Sequence, residues 1–251
     1  MDNQTNSRKY EANKMGINTK FRTKKNEIMD DFSLEGNELR ITLDEISKIN
    51  HFLGGNKITL DGVRTLLLKA DTTKTLTIVD IGCGNGEMLR MLSDYGYSNN
   101  IDLKIVGIDA NPFTVNYAQV LSKDYPNISY LCGDVFDKNF EMAKFDIALC
   151  TLTLHHFDTD QIIELINILV KISNLGIVIN DLQRSKIAYR LFQTICVVFK
   201  LNNMTKKDGL ISILRGFKKN ELEEFCKQLH LKNYMVQWKW AFRYQWIIFN
   251  I

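Results

Sequence analysis

The feature that most constrains this chain is a glycine-rich turn between an apolar strand and an amphipathic helix. Residues 78–89 read Ile-Val-Asp-Ile-Gly-Cys-Gly-Asn-Gly-Glu-Met-Leu, with glycines at positions 82, 84 and 86. Glycine lacks the Cβ atom that would block the close approach of a ligand to the backbone. The first N–H groups of a helix have no partner within the helix and can face that ligand. The segment therefore predicts a strand, a tight turn and a helix that together bind a small molecule.

Short apolar runs alternate with amphipathic helices through the middle of the chain. This alternation is typical of βαβ units in a parallel sheet, and right-handed crossovers make such a sheet doubly wound. Two aromatic strands near the end predict an antiparallel hairpin. We therefore expect an α/β protein with a Rossmann-like, doubly wound, seven-stranded sheet, mostly parallel with an antiparallel C-terminal strand. The predicted strands are 75–81, 104–109, 128–132, 145–150, 176–180, 233–240 and 243–250, and the helices between the first five are 86–95, 112–123 and 158–174.

The chain divides into three predicted parts. Residues 1–32 are rich in Asn, Lys and Thr, and we expect a polar, basic, mobile tail. Residues 33–70 carry apolar side chains at helical spacing and predict an N-terminal helical cap. Residues 71–251 form the main domain, in which 182–232 predict a helical cover inserted before the sixth strand. Within that cover, the polar, glycine-containing stretch 200–216 separates two predicted helices.

Composition excludes several classes of protein. Of the 251 residues, 45% are hydrophobic and 24% are charged, which excludes disorder for most of the chain. The five cysteines include no CxxC pair, so a zinc ribbon and a disulfide framework are disfavoured, and we expect no metal. No apolar run approaches the ~20 residues that span a bilayer. With a polar first segment and no secretory signal pattern, we expect a cytoplasmic protein.

The spelling of the glycine turn separates two classes of ligand. Dinucleotide-binding proteins use GxGxxG, in which the third glycine follows the second by three positions, and here that position is Glu87. The pattern from Asp80 to Gly86, Asp-x-Gly-x-Gly-x-Gly, resembles motif I of the class I S-adenosylmethionine-dependent methyltransferases. The chain is most similar to small bacterial enzymes related to the ubiquinone/menaquinone-pathway methyltransferases, and the resemblance is strong over residues 70–181. It implies S-adenosyl-L-methionine as the cofactor and S-adenosyl-L-homocysteine as the product.

Acidic residues lie at or just after the carboxyl ends of the first three strands of the predicted sheet. Asp80 can meet the positively charged end of the cofactor, and Asp109 can accept hydrogen bonds from both ribose hydroxyls. The resemblance implies that Asp134 receives the adenine amino group and that Val135 contacts the ring. The carboxyl ends of strands are where open α/β sheets bind ligands. The predicted cofactor site comprises Asp80, Gly82, Cys83, Gly84, Gly86, Asp109, Ala110, Asp134, Val135 and Thr151.

Methyl transfer is an in-line displacement that requires alignment of the nucleophile and exclusion of water. If the acceptor is a phenol, a carboxylate or an amine, a histidine can remove its proton near neutral pH. His155 and His156 follow strand four, and Asp181 ends strand five, so these three are the candidate catalytic residues. Which histidine faces the acceptor stays open, as does the alternative that transfer proceeds by proximity alone.

Aromatic residues late in the chain favour an apolar acceptor pocket. We expect O- or C-methylation of a small apolar or aromatic metabolite that is quinone-, lipid- or polyketide-like. An RNA methyltransferase is a competing hypothesis. The excess of basic residues, however, is confined to residues 1–25, which hold seven Lys/Arg against two Asp/Glu. The remainder holds 25 Lys/Arg against 27 Asp/Glu, a net charge of −2, whereas nucleic-acid binding uses a basic surface. An NAD-dependent oxidoreductase and a non-catalytic cofactor-binding protein also stay open as hypotheses.

Overall fold

The computed structural model of this protein describes residues 17–137 and 144–250. The first half of the predicted polar tail, residues 1–16, lies outside the described residues. The strands are β1 (Leu76–Ile81), β2 (Leu103–Asp109), β3 (Ile128–Cys132), β4 (Phe145–Thr151), β5 (Ser173–Leu182), β6 (Tyr234–Lys239) and β7 (Arg243–Phe249). The α-helices are α1 (Asn37–Phe52), α2 (Gly55–Leu67), α3 (Glu87–Ser98), α4 (Pro112–Leu121), α5 (Thr159–Ile172), α6 (Lys186–Val198), α7 (Asn203–Arg215) and α8 (Lys219–Gln228).

These strands form one sheet in the order β3-β2-β1-β4-β5-β7-β6. Strands β1 to β5 pair in parallel, whereas β7 runs antiparallel to both of its neighbours, β5 and β6. The predicted fold class, a Rossmann-like doubly wound sheet of seven strands, is confirmed. The chain moves outward from β1 to β3 and then returns to β4 on the other side of β1. Ligands of open α/β sheets bind in the crevice at such a switch point.

The sheet is covered by helices on both faces, so its central strands are mostly apolar. On β1, Ile78 packs into the core formed with α2 and α3, and Val79 packs into the opposite core formed with α5 and α8. Strands buried on both faces are nearly continuous apolar runs for this reason. The rigid central strands therefore fix the positions of the residues that follow them. No helix in the part of the chain that the structure describes is long and apolar enough to cross a membrane.

The second helix of the N-terminal segment, α2, lies directly on the sheet. A Cβ atom on Gly62 would lie 2.5 Å from Val178 Cγ1, so only glycine permits this approach. Asn180, which is buried on β5, donates hydrogen bonds to the Gly55 carbonyl (2.9 Å) and to Thr59 Oγ1 (3.0 Å). Helix α2 is consequently one of the layers that cover the sheet.

The stretch 200–216 differs from the expected polar connection, because most of it forms α7. The Asn202 side chain caps this helix by accepting a hydrogen bond from the Thr205 N–H group (2.8 Å). Asp208 on α7 is buried and accepts hydrogen bonds from the N–H groups of Ile28 (2.8 Å) and Met29 (3.0 Å). The polar residues that resembled a loop are therefore a helix face that holds the N-terminal segment.

Candidate functional site

A cavity of about 820 Å³ lies at the carboxyl ends of β1, β2 and β4. The turns after these strands form one wall, and α1, α6 and residues 26–34 contribute to the others. Two predicted site residues do not line the cavity: Gly86 precedes α3, and Asp181 lies behind His155. The predicted residues that do line it are Asp80, Gly82, Cys83, Gly84, Asp109, Ala110, Asp134, Val135, Thr151, His155 and His156.

The turn after β1 exposes its backbone to the cavity. Gly82, Gly84 and Gly86 have φ angles of 69°, 54° and 74°, which lie in the left-handed region that favours glycine. A Cβ atom on Gly82 would also collide with the Thr153 side chain. The Gly82 N–H group donates to the Ile108 carbonyl (2.8 Å), so the turn is held against β2. A ligand at this turn contacts main chain rather than side chains.

Two carboxylates, the buried Asp80 and the partly buried Asp109, lie beside the turn. Asp80 is 2% exposed, and its Oδ1 atom has no hydrogen-bond partner within residues 17–137 and 144–250. Burial, together with the charge of Asp109, raises the pKa of Asp80 to about 7. Burial also raises the pKa of Asp109, although hydrogen bonds from the N–H groups of Asn111 (3.0 Å) and Gly84 (3.1 Å) oppose this. A cationic ligand group would give Asp80 the partner that it lacks.

The remaining predicted cofactor residues extend along the same cavity. Asp134 is exposed and Val135 is buried, so a carboxylate and an apolar side chain follow β3 together. Thr151 Oγ1 lies 3.0 Å from Thr59 Oγ1 and links the end of β4 to α2. The Cys83 thiol is buried, and burial raises its pKa well above the ordinary value. Cys83 is therefore a neutral part of the lining and not a nucleophile.

His155 is held by Asp181 in a short 3₁₀ turn, Leu154–His156, that follows β4. Its Nδ1 atom lies 2.8 Å from Asp181 Oδ1, and its backbone N–H group donates to Asp181 Oδ2 (3.1 Å). Burial opposes ionisation of Asp181, but the charge and hydrogen bonds of His155 outweigh burial and lower the pKa of this carboxyl. In the tautomer that donates its Nδ1–H group to Asp181, Nε2 of the imidazole is an acceptor. Among the described residues, Nε2 has no hydrogen-bond partner.

The N-terminal segment brings two further carboxylates to the histidine pair. Asp30 Oδ1 lies 2.6 Å from His156 Nδ1, and Asp30 Oδ2 accepts a hydrogen bond from Arg215 Nη1 (2.6 Å). Glu27 Oε1 lies 3.5 Å from His155 Nε2. Glu27 is 6% exposed, and burial raises its pKa to about 7. Sequence reasoning missed Glu27 and Asp30, because no periodicity or motif marks them within the polar stretch that contains them.

Glu27, His155 and His156 are also residue types that bind transition metals. One candidate ligand atom of each lies within 4.8 Å of those of the other two. A positive charge already faces the same carboxylate, because Arg215 Nη1 lies 3.8 Å from Glu27 Oε1. The expectation that the chain uses no metal therefore stays a prediction.

The part of the chain that supplies this geometry matches a known family of domains. Residues 78–176, which run from β1 into β5, match the family model described as "Methyltransferase domain". About two fifths of this chain is therefore similar to a methyltransferase domain. The match includes the glycine turn, Asp109 and the histidine pair, whereas residues 17–36 and β7 lie outside it.

A curated protein matches part of the chain. It is "Putative methyltransferase 235L" of Invertebrate iridescent virus 6, which is 33% identical over 73 residues. Those residues are 29% of this chain and 24% of the viral protein, so the chain spans about a quarter of the length of the curated relative that it matches.

Solved structures share the fold over most of the chain. The plantazolicin methyltransferase BpumL, in complex with a pentazolic desmethylPZN analog and SAH, is 17% identical with a TM-score of 0.61. The superposition covers 82% of this chain and 89% of BpumL. Magnesium protoporphyrin IX methyltransferase (ChlM) from Synechocystis PCC 6803, with bound SAH, is 16% identical with a TM-score of 0.52, covering 80% of this chain and 85% of ChlM. At these identities the likeness shows the fold.

Proposed function

We propose that this chain transfers a methyl group from S-adenosyl-L-methionine to a small, apolar or aromatic acceptor. The observation that carries the proposal is one cavity with two kinds of lining. Asp80 and Asp109 lie beside the bare glycine turn, and the same cavity is lined by His155 and by apolar side chains. The methyltransferase family match and the SAH-bound structures of the same fold support the choice of cofactor.

The residues at the glycine turn fit the chemical groups of S-adenosylmethionine. Bound there, this cofactor would supply a methyl group that is already activated by a sulfonium. The unpartnered Oδ1 atom of Asp80 suits a cationic group, and Asp109 suits the adjacent hydroxyls of a ribose. Asp134 and Val135 would hold the adenine, as the family resemblance implies. These roles make the carboxylates specific for an adenosyl ligand without a pyrophosphate.

The apolar part of the cavity lining favours a small apolar molecule as the methyl acceptor. Helix α6 contributes Ala188, Leu191 and Phe192 to its lining, and Phe242 lies at the start of the last strand. Such side chains bind an apolar body and exclude water from the reacting groups. Arg215, which also lines the cavity, is already engaged, because it donates a hydrogen bond to Asp30. An RNA substrate has less support, because phosphate binding requires a basic groove.

We assign the general base to His155, positioned by Asp181. His155 Nε2 accepts the proton of the acceptor hydroxyl, while the Nδ1 proton stays in its hydrogen bond with Asp181 Oδ1. The acceptor oxygen would then bond to the methyl carbon of S-adenosyl-L-methionine as the bond from that carbon to sulfur breaks, which would leave S-adenosyl-L-homocysteine. Asp181 stabilises the resulting imidazolium by charge, as its lowered pKa indicates. His156 is instead tied to Asp30 through Nδ1.

Calorimetry with S-adenosylhomocysteine tests the cofactor assignment. Asp109→Ala removes a charged acceptor worth roughly 1.5–3 kcal/mol per hydrogen bond, so affinity should fall about 100-fold or more. The matched control is Asp102→Ala, an exposed aspartate before the same strand, which should bind as the wild type does. Equal affinity of the two variants would reject the role of Asp109, and no binding by the wild type would reject the proposed function.

Turnover of the variants tests the base. His155→Ala should lower the rate of methylation of a hydroxylated acceptor by roughly 10²–10⁴-fold with cofactor affinity retained. Asp181→Asn should lower it in the same direction and shift the acidic limb of the pH–rate profile. His156→Ala serves as the neighbouring control and should lose less. Full turnover by His155→Ala would show that transfer proceeds by proximity alone.

A further inference from the structure

The last strand places a buried arginine, two of whose donor atoms are unpartnered among the described residues, in the lining of the cavity. Arg243 begins β7, opposite Leu182 of β5, and is 3% exposed. Its Nε and Nη1 atoms have no hydrogen-bond partner in the described parts of the chain. Arg243 lines the cavity that also contains His155. A buried guanidinium destabilises a protein unless an anion or several acceptors compensate its lost hydration.

Two buried amides lie next to this guanidinium. Asn50 Nδ2 donates to Asn56 Oδ1, and the second polar atom of each side chain, Asn50 Oδ1 and Asn56 Nδ2, is unpartnered among the described residues. Both asparagines line the cavity. A Cβ atom on Gly55 would collide with the Asn50 amide and would lie 3.0 Å from Arg243 Cζ, so the three side chains converge around one backbone position. Among the described residues, the cluster therefore offers three unsatisfied donor atoms, Arg243 Nε, Arg243 Nη1 and Asn56 Nδ2, and one unsatisfied acceptor, Asn50 Oδ1.

The nearby acidic residue does not satisfy the arginine. Asp181 is the charge that acts most on Arg243, where burial lowers the pKa of the guanidinium to about 10 and Asp181 opposes this. The Asp181 oxygens already accept hydrogen bonds from His155 and from the Leu182 N–H group (2.6 Å). Within the chain as the structure describes it, the ion-pair partner of Asp181 is His155 and not Arg243. Arg243 remains a cation with unused donors.

We infer that Arg243, with the Asn56 amide that Asn50 orients, binds a carboxylate group of the methyl acceptor. This inference rests on the proposed function and adds the class of acceptor, an apolar body that ends in a carboxylate. A planar guanidinium presents parallel N–H donors that match a planar carboxylate, and an amide N–H₂ group adds a further donor. The apolar residues of α6 line the same cavity and would hold the body of the acceptor.

A pair of probes with the same shape tests the inference. 2-Naphthoate and 2-naphthamide differ in charge but little in size, and calorimetry measures their binding to full-length protein saturated with S-adenosylhomocysteine. Wild-type protein should bind the carboxylate about 10- to 100-fold more tightly than the amide, the range of a charge-assisted hydrogen bond. Arg243→Gln should reduce this ratio to near one. Arg64→Gln, the same substitution at a partly exposed arginine, should keep the wild-type ratio.

A second variant covers the case in which loss of Arg243 prevents folding. Asn56→Leu removes one donor and leaves the charge, and it should reduce the ratio of affinities about threefold or more while S-adenosylhomocysteine still binds. A ratio near one in the wild type, no binding of 2-naphthoate, or an unchanged ratio in Arg243→Gln or Asn56→Leu would overturn the inference. Failure of S-adenosylhomocysteine to bind the wild type would instead overturn the proposed function.

Discussion

At the scale of residues, Glu27 connects the N-terminal segment to the candidate base. Its Oε2 atom accepts a hydrogen bond from Ser212 Oγ (2.7 Å), while Oε1 lies 3.5 Å from His155 Nε2 without a hydrogen bond. Burial raises the pKa of this carboxyl from the ordinary 4.5 to about 7. The folded protein therefore holds a proton on Glu27 over a pH range in which the unfolded chain has released it.

This difference predicts a pH dependence of stability. Below pH 4.5, Glu27 is protonated in both the folded and the unfolded state, so the fold does not bear the cost of a buried charge. As the pH rises from 4.5 toward 7, the unfolded chain releases this proton before the folded protein does, so the free energy of unfolding falls. Relative to wild type, Glu27→Gln should gain up to about 3 kcal/mol in the free energy of unfolding between pH 4.5 and pH 7.5. Urea denaturation across this range measures the change. Glu164→Gln, at an exposed position, is the control. Parallel pH curves for Glu27→Gln and wild type would contradict the raised pKa.

Residues differ in how far the sequence predicts their place. Asp80 and Asp109 could be predicted as cofactor residues, because each lies at the carboxyl end of a short apolar run that is visible in the local sequence. Both residues line the cavity. Glu27 and Arg243 were not predicted as site residues, because their burial depends on contacts with segments far away in sequence. Ser212, the partner of Glu27, lies 185 residues from it. No local pattern in the sequence carries such a pairing.

At the scale of elements, α7 holds the N-terminal segment against the cavity. Asp208 accepts the N–H groups of Ile28 and Met29, and these two hydrogen bonds fix the short 3₁₀ turn that carries Asp30. The strands and the helices between them follow periodic apolar patterns and could be predicted. Helix α7 was expected as a polar connection because its buried face is itself polar, with Asp208, Ser212 and Arg215 facing the segment that it binds.

Loss of this anchor should release the segment without unfolding the sheet. Asp208→Ala removes two hydrogen bonds to a carboxylate, each worth roughly 1.5–3 kcal/mol, so the open form should be at least about tenfold more populated. Trypsin should then cleave after Arg22, Lys24 or Lys25 about tenfold faster or more, as followed by mass spectrometry. Asp124→Ala, at an exposed turn, is the control. Equal cleavage of the two variants would mean that Asp208 does not anchor the segment.

At the scale of the whole molecule, one cavity joins parts that are distant in the chain. Residues 26–34, α1, the turns after β1 to β4, α6 and the start of β7 all line it. A ligand that contacts several of these parts binds the folded state and not the unfolded one, so it must raise the stability of the whole fold. The rise in stability can be compared between an adenosyl thioether and a dinucleotide, because both ligands are tested on the same unfolding transition.

Thermal denaturation with each ligand follows from this linkage. S-adenosylhomocysteine at 100 times its Kd should stabilise the protein by about 2.7 kcal/mol, which for a chain of this length raises Tm by roughly 5–10 °C. NADH at the same concentration should leave Tm within about 1 °C, because Glu87 stands where a pyrophosphate-binding turn has its third glycine and the Asp80 carboxylate repels phosphate. Asp109→Ala should abolish the first shift. A larger rise in Tm with NADH than with S-adenosylhomocysteine would favour an oxidoreductase, because at equal concentration the ligand that binds the folded protein more tightly raises Tm more.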